Sequence, residues 1–494
     1  MKKTLISLLL AVLMLLGTVA CNTSNNQAES TAADGTGTNI SDPETDDVPD
    51  SVRFDGKYLT FTTVSWYNYE MYVEEPEEGD ITSEAVYRRN RTVEERLGIT
   101  IDSIPINNVT HAEQPNYVRT SILAETHDFD VVASFMYTTG GLILENLFHN
   151  WGNGDIPYVN LDKPYWSKTI NDSFTVGDRL YSAVSDTCIT AMQTAYGYLF
   201  NKEIVEDRHL ENFYQVVDEG RWTVDYLYNL TKNMYSDLNS DMSRDTGDFY
   251  GLLSDLNTSV TAYLPAFEQT IFKSTGDDIV CTLDDSKTIN CFEKVRKLLR
   301  ENDGCFWYWH GNNGFTYEDK HPIFKSGNVL FIPIRLSALY DQYRDVDFDY
   351  GILPYPKYDE VQKNYHNSCL NNFSVLCIPS NITGTDLEKI GAAMEIMASE
   401  SRKRIIPAFY ETALQDKFTT DEDSKRMLDI IMETRVFDIA HLYSQATSGA
   451  YSFFEEIMRS GEMFTTAYAV RRKMFDNAAH NLYESILKVG TLDE

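Results

Sequence analysis

The chain has 494 residues, 43% of them hydrophobic and 13% aromatic, enough for two or more domains of ordinary size with real cores. Its formal net charge of −33, falling to −35 once Lys2 and Lys3 leave with a leader, repels phosphate backbones and anionic lipid and excludes nucleic-acid binding. Of the seven cysteines no two stand in a Cys-x-x-Cys pair and no histidine cluster accompanies them, so no zinc site is expected.

Lys2 and Lys3 precede an apolar run from Leu5 to Leu16, broken only by Ser7, and then Gly17-Thr18-Val19-Ala20-Cys21. Residues 1–20 read as a signal peptide, too short for a dependable membrane span. Ala20 before Cys21 resembles a lipobox, at which the thiol is diacylated and the preceding bond cut, although Thr18 stands where leucine is commoner. The alternative is ordinary secretory cleavage near Ala20, with Cys21 an incidental thiol. Between Asn22 and Asp50 only Ile40, Pro43, Val48 and Pro49 break a run of Asn, Gln, Ser, Thr, Gly, Ala, Asp and Glu. Such a segment cannot bury enough apolar surface to offset its ordering entropy, so Cys21 and the residues to Asp50 are expected to form a disordered tether.

The body then alternates strands and helices. Tyr58 to Ser65 is β-rich and ends at Trp66-Tyr67-Asn68; a helix opens near Thr82 and stops at Gly98; a second strand runs from Ile99 to Ile104. Asp130 to Ser134 reads as a buried strand and Gly141 to Phe148 as a helix. The alternation restarts with a strand at Tyr196 to Phe200, a helix capped by Thr223 and another from Ile289 to Glu301, followed by strands at Val329 to Ile334, Tyr350 to Pro354 and Phe373 to Ile378. From Asp386 onward the pattern is almost wholly helical. Alternation of this kind predicts an α/β fold with mainly parallel sheet. With Cys21 assigned to lipid, Cys188, Cys281, Cys291, Cys305, Cys369 and Cys377 are expected to be mostly free, buried thiols, Cys281 and Cys291 being the first pair to test for a disulfide.

The segments EAVYRRNRTVEERLGITI (84–101), DFDVV (128–132), RLYSAVSD (179–186), YGYLFNKEIV (196–205), GRWTVDYLYNL (220–230), IFKSGNVLFIPI (323–334), DYGILPYPKYDE (349–360) and NNFSVLCIPS (371–380) together resemble, in kind and order, the family 1 extracellular solute-binding proteins, the sugar receptors of ABC importers. The resemblance implies a two-lobed, periplasmic-binding-protein-like α/β fold with hinge crossings and a helix-rich C-terminal region. Residues 51–183 with 329–370 would form lobe 1, and 187–328 with 373–494 lobe 2, VLFIPI being the return to the first lobe and NNFSVLCIPS the last crossing. It further implies a monomer that captures a mono- or oligosaccharide by closing its lobes. The receptor would sit on the outer face of the cytoplasmic membrane through its lipid alone, pass cargo to permease subunits, and need no cofactor.

Sugars present C–H faces to rings and hydroxyls to planar polar groups, and open α/β sheets bind ligands beyond the carboxyl ends of their strands. By that criterion the candidates are Trp66 and Tyr67 after the first strand, Tyr137 and Thr138 after DVVAS, Asp186 and Thr187 after the first crossing, and Arg335 after VLFIPI. Asn371 and Asn372 precede the last strand, and Asp255 and Asn257 lie in GLLSDLN, which resembles a loop that faces the cleft in this family. For each the competing reading is a turn, cap or core residue.

Asp237, Asn239, Asp241, Ser243, Asp245 and Asp248 carry oxygens at the spacing of an EF-hand-like loop, which makes a structural calcium a candidate. Met242 replaces the glycine of the sharp bend and Asp248 is shorter than the usual bidentate Glu, so a solvated acidic loop is the alternative. A receptor of the same fold for a peptide or other organic solute, and a secreted glycan-active hydrolase, are the alternative functions. No Gly-x-Ser-x-Gly elbow, His-Glu-x-x-His helix or phosphate loop speaks for an enzyme.

Overall fold

Runs of apolar, β-branched and aromatic residues become strands wherever both sheet faces are covered. The computed structural model of the protein describes residues 43–309, 315–414 and 422–490, so Cys21 and the leader lie outside the described residues. Its strands in chain order are β1 (Tyr58–Val64), β2 (Thr100–Ile106), β3 (Val131–Phe135), β4 (Tyr196–Asn201), β5 (Tyr235–Ser236), β6 (Phe249–Asp255), β7 (Phe272–Ser274), β8 (Ile279–Cys281), β9 (Cys305–Tyr308), β10 (Val329–Arg335), β11 (Tyr350–Leu353) and β12 (Ser374–Cys377).

Two principal sheets organise the body into two lobes. The first has the order β12-β3-β1-β2, with β1 parallel to both neighbours and β12 antiparallel to β3. The second has the order β11-β4-β10-β6-β5, with β9 added beside β6, and mixes parallel and antiparallel pairs. Two antiparallel segments cross between them: Ala183 pairs with Leu376 at the first lobe, and Ala195 with Cys369 at the second.

Strand pairing corrects the lobe boundaries. The family resemblance assigns 329–370 to lobe 1, yet β10 sits in the middle of the second sheet between β4 and β6, and β11 closes that sheet's edge. The same resemblance assigns 373–494 to lobe 2, yet β12 pairs with β3 of the first sheet, and the Gly384–Leu414 helix packs along the Ile81–Leu97 helix of lobe 1. Glu422–Glu433 returns to β11, and the Phe464–Lys488 helix runs from β8 to lobe 1, where the Tyr181 hydroxyl donates to the Val489 carbonyl at 3.0 Å. The helical C-terminal region therefore serves both lobes. No helix among the described residues is long and apolar enough to cross a membrane.

The ordered body also begins earlier than Asp50. Val48 is buried, and the buried Asp46 carboxylate accepts from Arg96 at 2.8 and 3.0 Å, so the last residues of the expected tether are docked on lobe 1. The Ile81–Leu97 helix opens at Asp80, whose side chain caps the Thr82 and Ser83 amides, and ends at Gly98 with φ of 71°, a left-handed cap that favours glycine. The helix expected over 141–148 instead spans Met136–Leu144. Gly140 lies inside it, and a Cβ there would stand 2.1 Å from the Leu442 carbonyl oxygen, so this face is packed against a neighbour. All six described cysteines are unbonded thiols, Cys281 half-buried and the others buried.

Candidate functional site

Because β1 and β3 are parallel neighbours, their carboxyl ends deliver adjacent groups to one edge of the first sheet. β1 runs into a tight 3-10 turn, Ser65–Glu70, pinned where the Thr63 hydroxyl donates to Asn68 Oδ1 at 2.7 Å. That turn carries Trp66, which is 43% exposed, and the half-buried Tyr67. β3 runs directly into the Met136–Leu144 helix, which places Tyr137 in its first turn. β12 begins alongside, so that the Asn371 carbonyl accepts from the Tyr137 amide at 3.3 Å.

These groups form one aromatic surface around Phe135. Trp66 lies 5.9 Å from Phe135 between ring centroids, Tyr67 meets it edge-on at 5.4 Å, and Tyr137 stacks on it at 5.8 Å. His111, from the loop after β2, completes the set: its ring is 6.5 Å from Trp66 and 5.9 Å from Tyr137, and its Nδ1 is 2.5 Å from the Tyr137 hydroxyl. Its backbone is left-handed, with φ of 63°. His111 was not legible as a site residue in the sequence, because nothing local says that the loop after β2 turns back over β3.

The opposing wall comes from the second sheet, where β6 and β10 run parallel and end together. Asp255 closes β6; its Oδ2 lies 2.9 Å from Lys320 Nζ, which also donates to the Pro333 carbonyl at 3.1 Å, and both side chains are buried. Arg335 closes β10, 3.9 Å from Glu318. The two walls are within electrostatic reach. Burial, then Glu70, pushes the Tyr67 hydroxyl well above its usual range, and Arg335 pulls it back. Burial, with Tyr451 beside it, pushes Tyr137 up to about 12. Glu455, half-buried in the Phe453–Ser460 helix, is pushed up to about 7 by burial against the pull of Arg459, with Asp255 adding to the rise.

Other expected residues are committed elsewhere. Thr138 is buried and donates to the Phe135 carbonyl at 3.1 Å as a helical residue does. Asp186 is buried against Arg402, with Oδ2 2.9 Å from Nε, and burial raises its carboxyl to about 7. Thr187 is buried with its hydroxyl 3.3 Å from that of Ser401. Thr138 is thus turned into its own helix next to Tyr137, and Asp186 and Thr187 are kept from the aromatic surface because the Gly384–Leu414 helix covers the first crossing through Arg402 and Ser401. Asn372 stays beside the surface, its Oδ1 buried and without a hydrogen-bond partner among the described residues. The Asn257 side chain lies outside the described residues. A cavity of about 950 Å³ adjoins the surface on its hinge side, lined by Tyr69, Gln193, Tyr340 and the acidic segment from Glu74 to Asp80.

The calcium-like loop turns its oxygens inward. Asp237 accepts from the Ser240 and Met242 amides at 2.6 and 2.9 Å, Asp241 from Ser243 at 2.7 Å, and Asp245 from Gly247 at 2.8 Å. Asn239 Oδ1 accepts from the Asp241 amide at 3.0 Å, and the Ser243 carbonyl accepts from Tyr235 at 3.3 Å. Burial would raise Asp248, but the Asp245 and Leu238 amides and the Tyr235 and Tyr250 hydroxyls hold it below its usual range. Among the described residues no three His, Cys, Asp or Glu side chains stand together as a ligand set.

A mostly parallel first sheet, a mixed second sheet, two antiparallel crossings and a site where strands of both sheets end define the two-lobed fold of extracellular solute-binding proteins. Solved structures of that class superpose over most of the chain. An ABC substrate-binding protein from Listeria monocytogenes in complex with cycloalternan matches at a TM-score of 0.51 and 12% identity, covering 88% of this chain and 99% of its own. A cyclo/maltodextrin-binding protein complexed with maltotetraose matches at 0.55 and 13% identity, covering 88% and 98%. A family 1 extracellular solute-binding protein from Bifidobacterium longum subsp. infantis matches at 0.52 and 13% identity, covering 87% and 100%. At such identities the likeness is one of fold. No protein-family model matches the chain, and no curated protein matches it in sequence.

Proposed function

We propose that the protein is an extracytoplasmic receptor that captures a saccharide between its lobes and hands it unchanged to an ABC importer, anchored through a diacylated Cys21. The observation that carries this reading is the aromatic surface of Trp66, Tyr67, His111 and Tyr137 where the strands of the first sheet end, with Arg335 of the second sheet near enough to act on the Tyr67 hydroxyl. Rings of that kind cover the apolar face of a sugar, and charged planar groups take its hydroxyls. The ligands in two of the matched structures, cycloalternan and maltotetraose, are saccharides, which supports the choice of cargo. Closure follows when a ligand touches both walls, since only contacts made better in the closed state shift the equilibrium toward it.

The test is thermal denaturation of the mature chain against maltotetraose, raffinose, monosaccharides and a peptide mixture. A ligand-dependent rise in Tm with a saccharide, without chemical change in that saccharide, supports the reading by mass action on the native state. Stabilisation by peptides alone rejects the sugar assignment, and release of reducing sugar rejects the receptor. Cys21→Ala is expected to free the protein from the membrane fraction.

A further inference from the structure

The turn that carries Trp66 and Tyr67 ends in a residue the binding surface does not use. Glu70 is completely buried. Its carboxylate accepts from the Thr190 amide at 2.8 Å, from the Thr190 hydroxyl at 2.9 and 3.0 Å to its two oxygens, and from the Ser374 hydroxyl at 2.7 Å. Thr190 belongs to the first crossing segment and Ser374 opens β12 at the end of the second, and the Ser374 amide donates to the Thr190 hydroxyl at 2.9 Å. One carboxylate thus gathers both crossings.

The same residue is fixed from the other side. Arg89, also completely buried, donates to the Glu70 and Met71 carbonyls at 2.9 and 3.1 Å, so the Ile81–Leu97 helix grips the end of the turn. A hinge needs only a few positions whose bonds differ between open and closed states. Glu70 couples such positions to the turn that bears the rings.

We propose that Glu70 is a latch between ligand and hinge, a positioning residue tying the turn of Trp66 and Tyr67 to both crossing segments so that solute seated on those rings biases the angle between the lobes. The ligand half of this inference rests on the proposed receptor function; the hinge half does not. Protonation weakens the latch, because a neutral carboxyl gives up acceptor capacity on one oxygen while three donors converge on it. Burial pushes the Glu70 carboxyl up to about 7, opposed by the Ser374 and Thr190 bonds and by Arg89. The groups facing it are Arg89 from the helix, Tyr67 and Tyr69 from its own turn and Cys188 from the first crossing.

The experiment is small-angle X-ray scattering of the mature chain at pH 8.0 and 5.5, with and without maltotetraose, on wild type, Glu70→Gln and Ser374→Ala. Wild type without ligand is expected to give a larger radius of gyration at pH 5.5 than at 8.0, Glu70→Gln the larger value at both, and Ser374→Ala, which removes one bond and keeps the fold, a value between. With maltotetraose at pH 8.0, Glu70→Gln is expected to bind about tenfold more weakly, the scale of one charge-assisted hydrogen bond. If Glu70→Gln and Ser374→Ala scatter as wild type does at both pH values, the latch is rejected. Likewise, a Glu70→Gln protein that only melts earlier, with its pH response and affinity intact, has lost a structural bond and overturns the proposal. Should the pH response disappear in Glu70→Gln while maltotetraose and other saccharides bind neither protein, the latch stands and the saccharide reading fails.

Discussion

Lys320 Nζ lies 2.9 Å from Asp255 Oδ2 at the carboxyl end of β6, and neither side chain is reached by solvent beyond 3% of its surface. A buried ion pair adds little over an apolar pair of equal shape, but losing one partner leaves the other charge uncompensated in a poor dielectric. Lys320→Ala is therefore expected to destabilise the protein by about 3–5 kcal/mol. Urea unfolding followed by circular dichroism checks this. A loss within the range of ordinary surface substitutions, about 0.5 kcal/mol, would mean that Asp255 finds water or another cation.

Trp66 behaves in the opposite way. With 43% of its surface exposed, the ring contributes modestly to the core, so Trp66→Ala is expected to leave Tm nearly unchanged. If the ring covers a sugar face, the same substitution weakens saccharide binding by about 1–3 kcal/mol, the value of burying one large side chain. Calorimetry with whichever saccharide stabilises the wild type separates the two effects. Undiminished affinity would remove Trp66 from the site.

His111 holds a left-handed backbone, φ of 63°, while its ring packs against Trp66 and Tyr137. A β-branched residue is poorly suited to that conformation, so His111→Val is expected to destabilise by about 1–2 kcal/mol. Glycine relieves the strain but gains about 0.4–1 kcal/mol of freedom in the unfolded chain, so His111→Gly is expected to leave Tm close to wild type. Both variants lose the ring and are expected to bind saccharide more weakly. Full affinity in a well-folded His111→Gly protein would show that the ring only fills space beside Trp66.

The local signals on which these residues sit were readable in the sequence, and the long-range pairings were not. YLTFTTVSWY announces a strand followed by exposed rings, and YGYLF and VLFIPI read as buried strands because their apolar runs are continuous. Nothing within VLFIPI says that its partners are β4 and β6, since strand pairing is decided by residues far away in the chain. That is why the order of segments, matched to the family, puts 329–370 in lobe 1 while the strand pairing puts β10 and β11 in the second sheet. Asp186 shows a related limit: position after a crossing suggests a ligand contact, whereas Arg402, more than two hundred residues later, occupies its carboxylate. Spacing alone does not decide the Asp237 to Asp248 loop either, because oxygens at calcium intervals serve equally well to cap their own backbone. Glu70 does carry a local signal, a lone acid inside the aromatic run Trp66 to Tyr72.

Several buried carboxyls give the fold an unusual dependence on pH. Burial pushes Glu70 and Asp186 up to about 7 and Asp438 up to about 6, above the values they take in an unfolded chain. Between the ordinary carboxylate range and pH 7 the folded protein therefore binds more protons than the unfolded one, and stability falls as pH rises through that window. His321 and His441 act oppositely: burial lowers them to about 3 and about 4, so stability is lost as pH falls below their unfolded value near 6.5. At pH 6.5 each of these imidazoles is half protonated in the unfolded chain and offsets only part of the carboxyl effect, so Tm is expected to be higher at pH 6.5 than at 8.0, and Glu70→Gln, which cannot ionise, is expected to shrink the difference. Scanning calorimetry across that interval checks both, and a Tm that rises toward pH 8.0 would show that these carboxyls are solvated or paired well enough to ionise freely in the folded state.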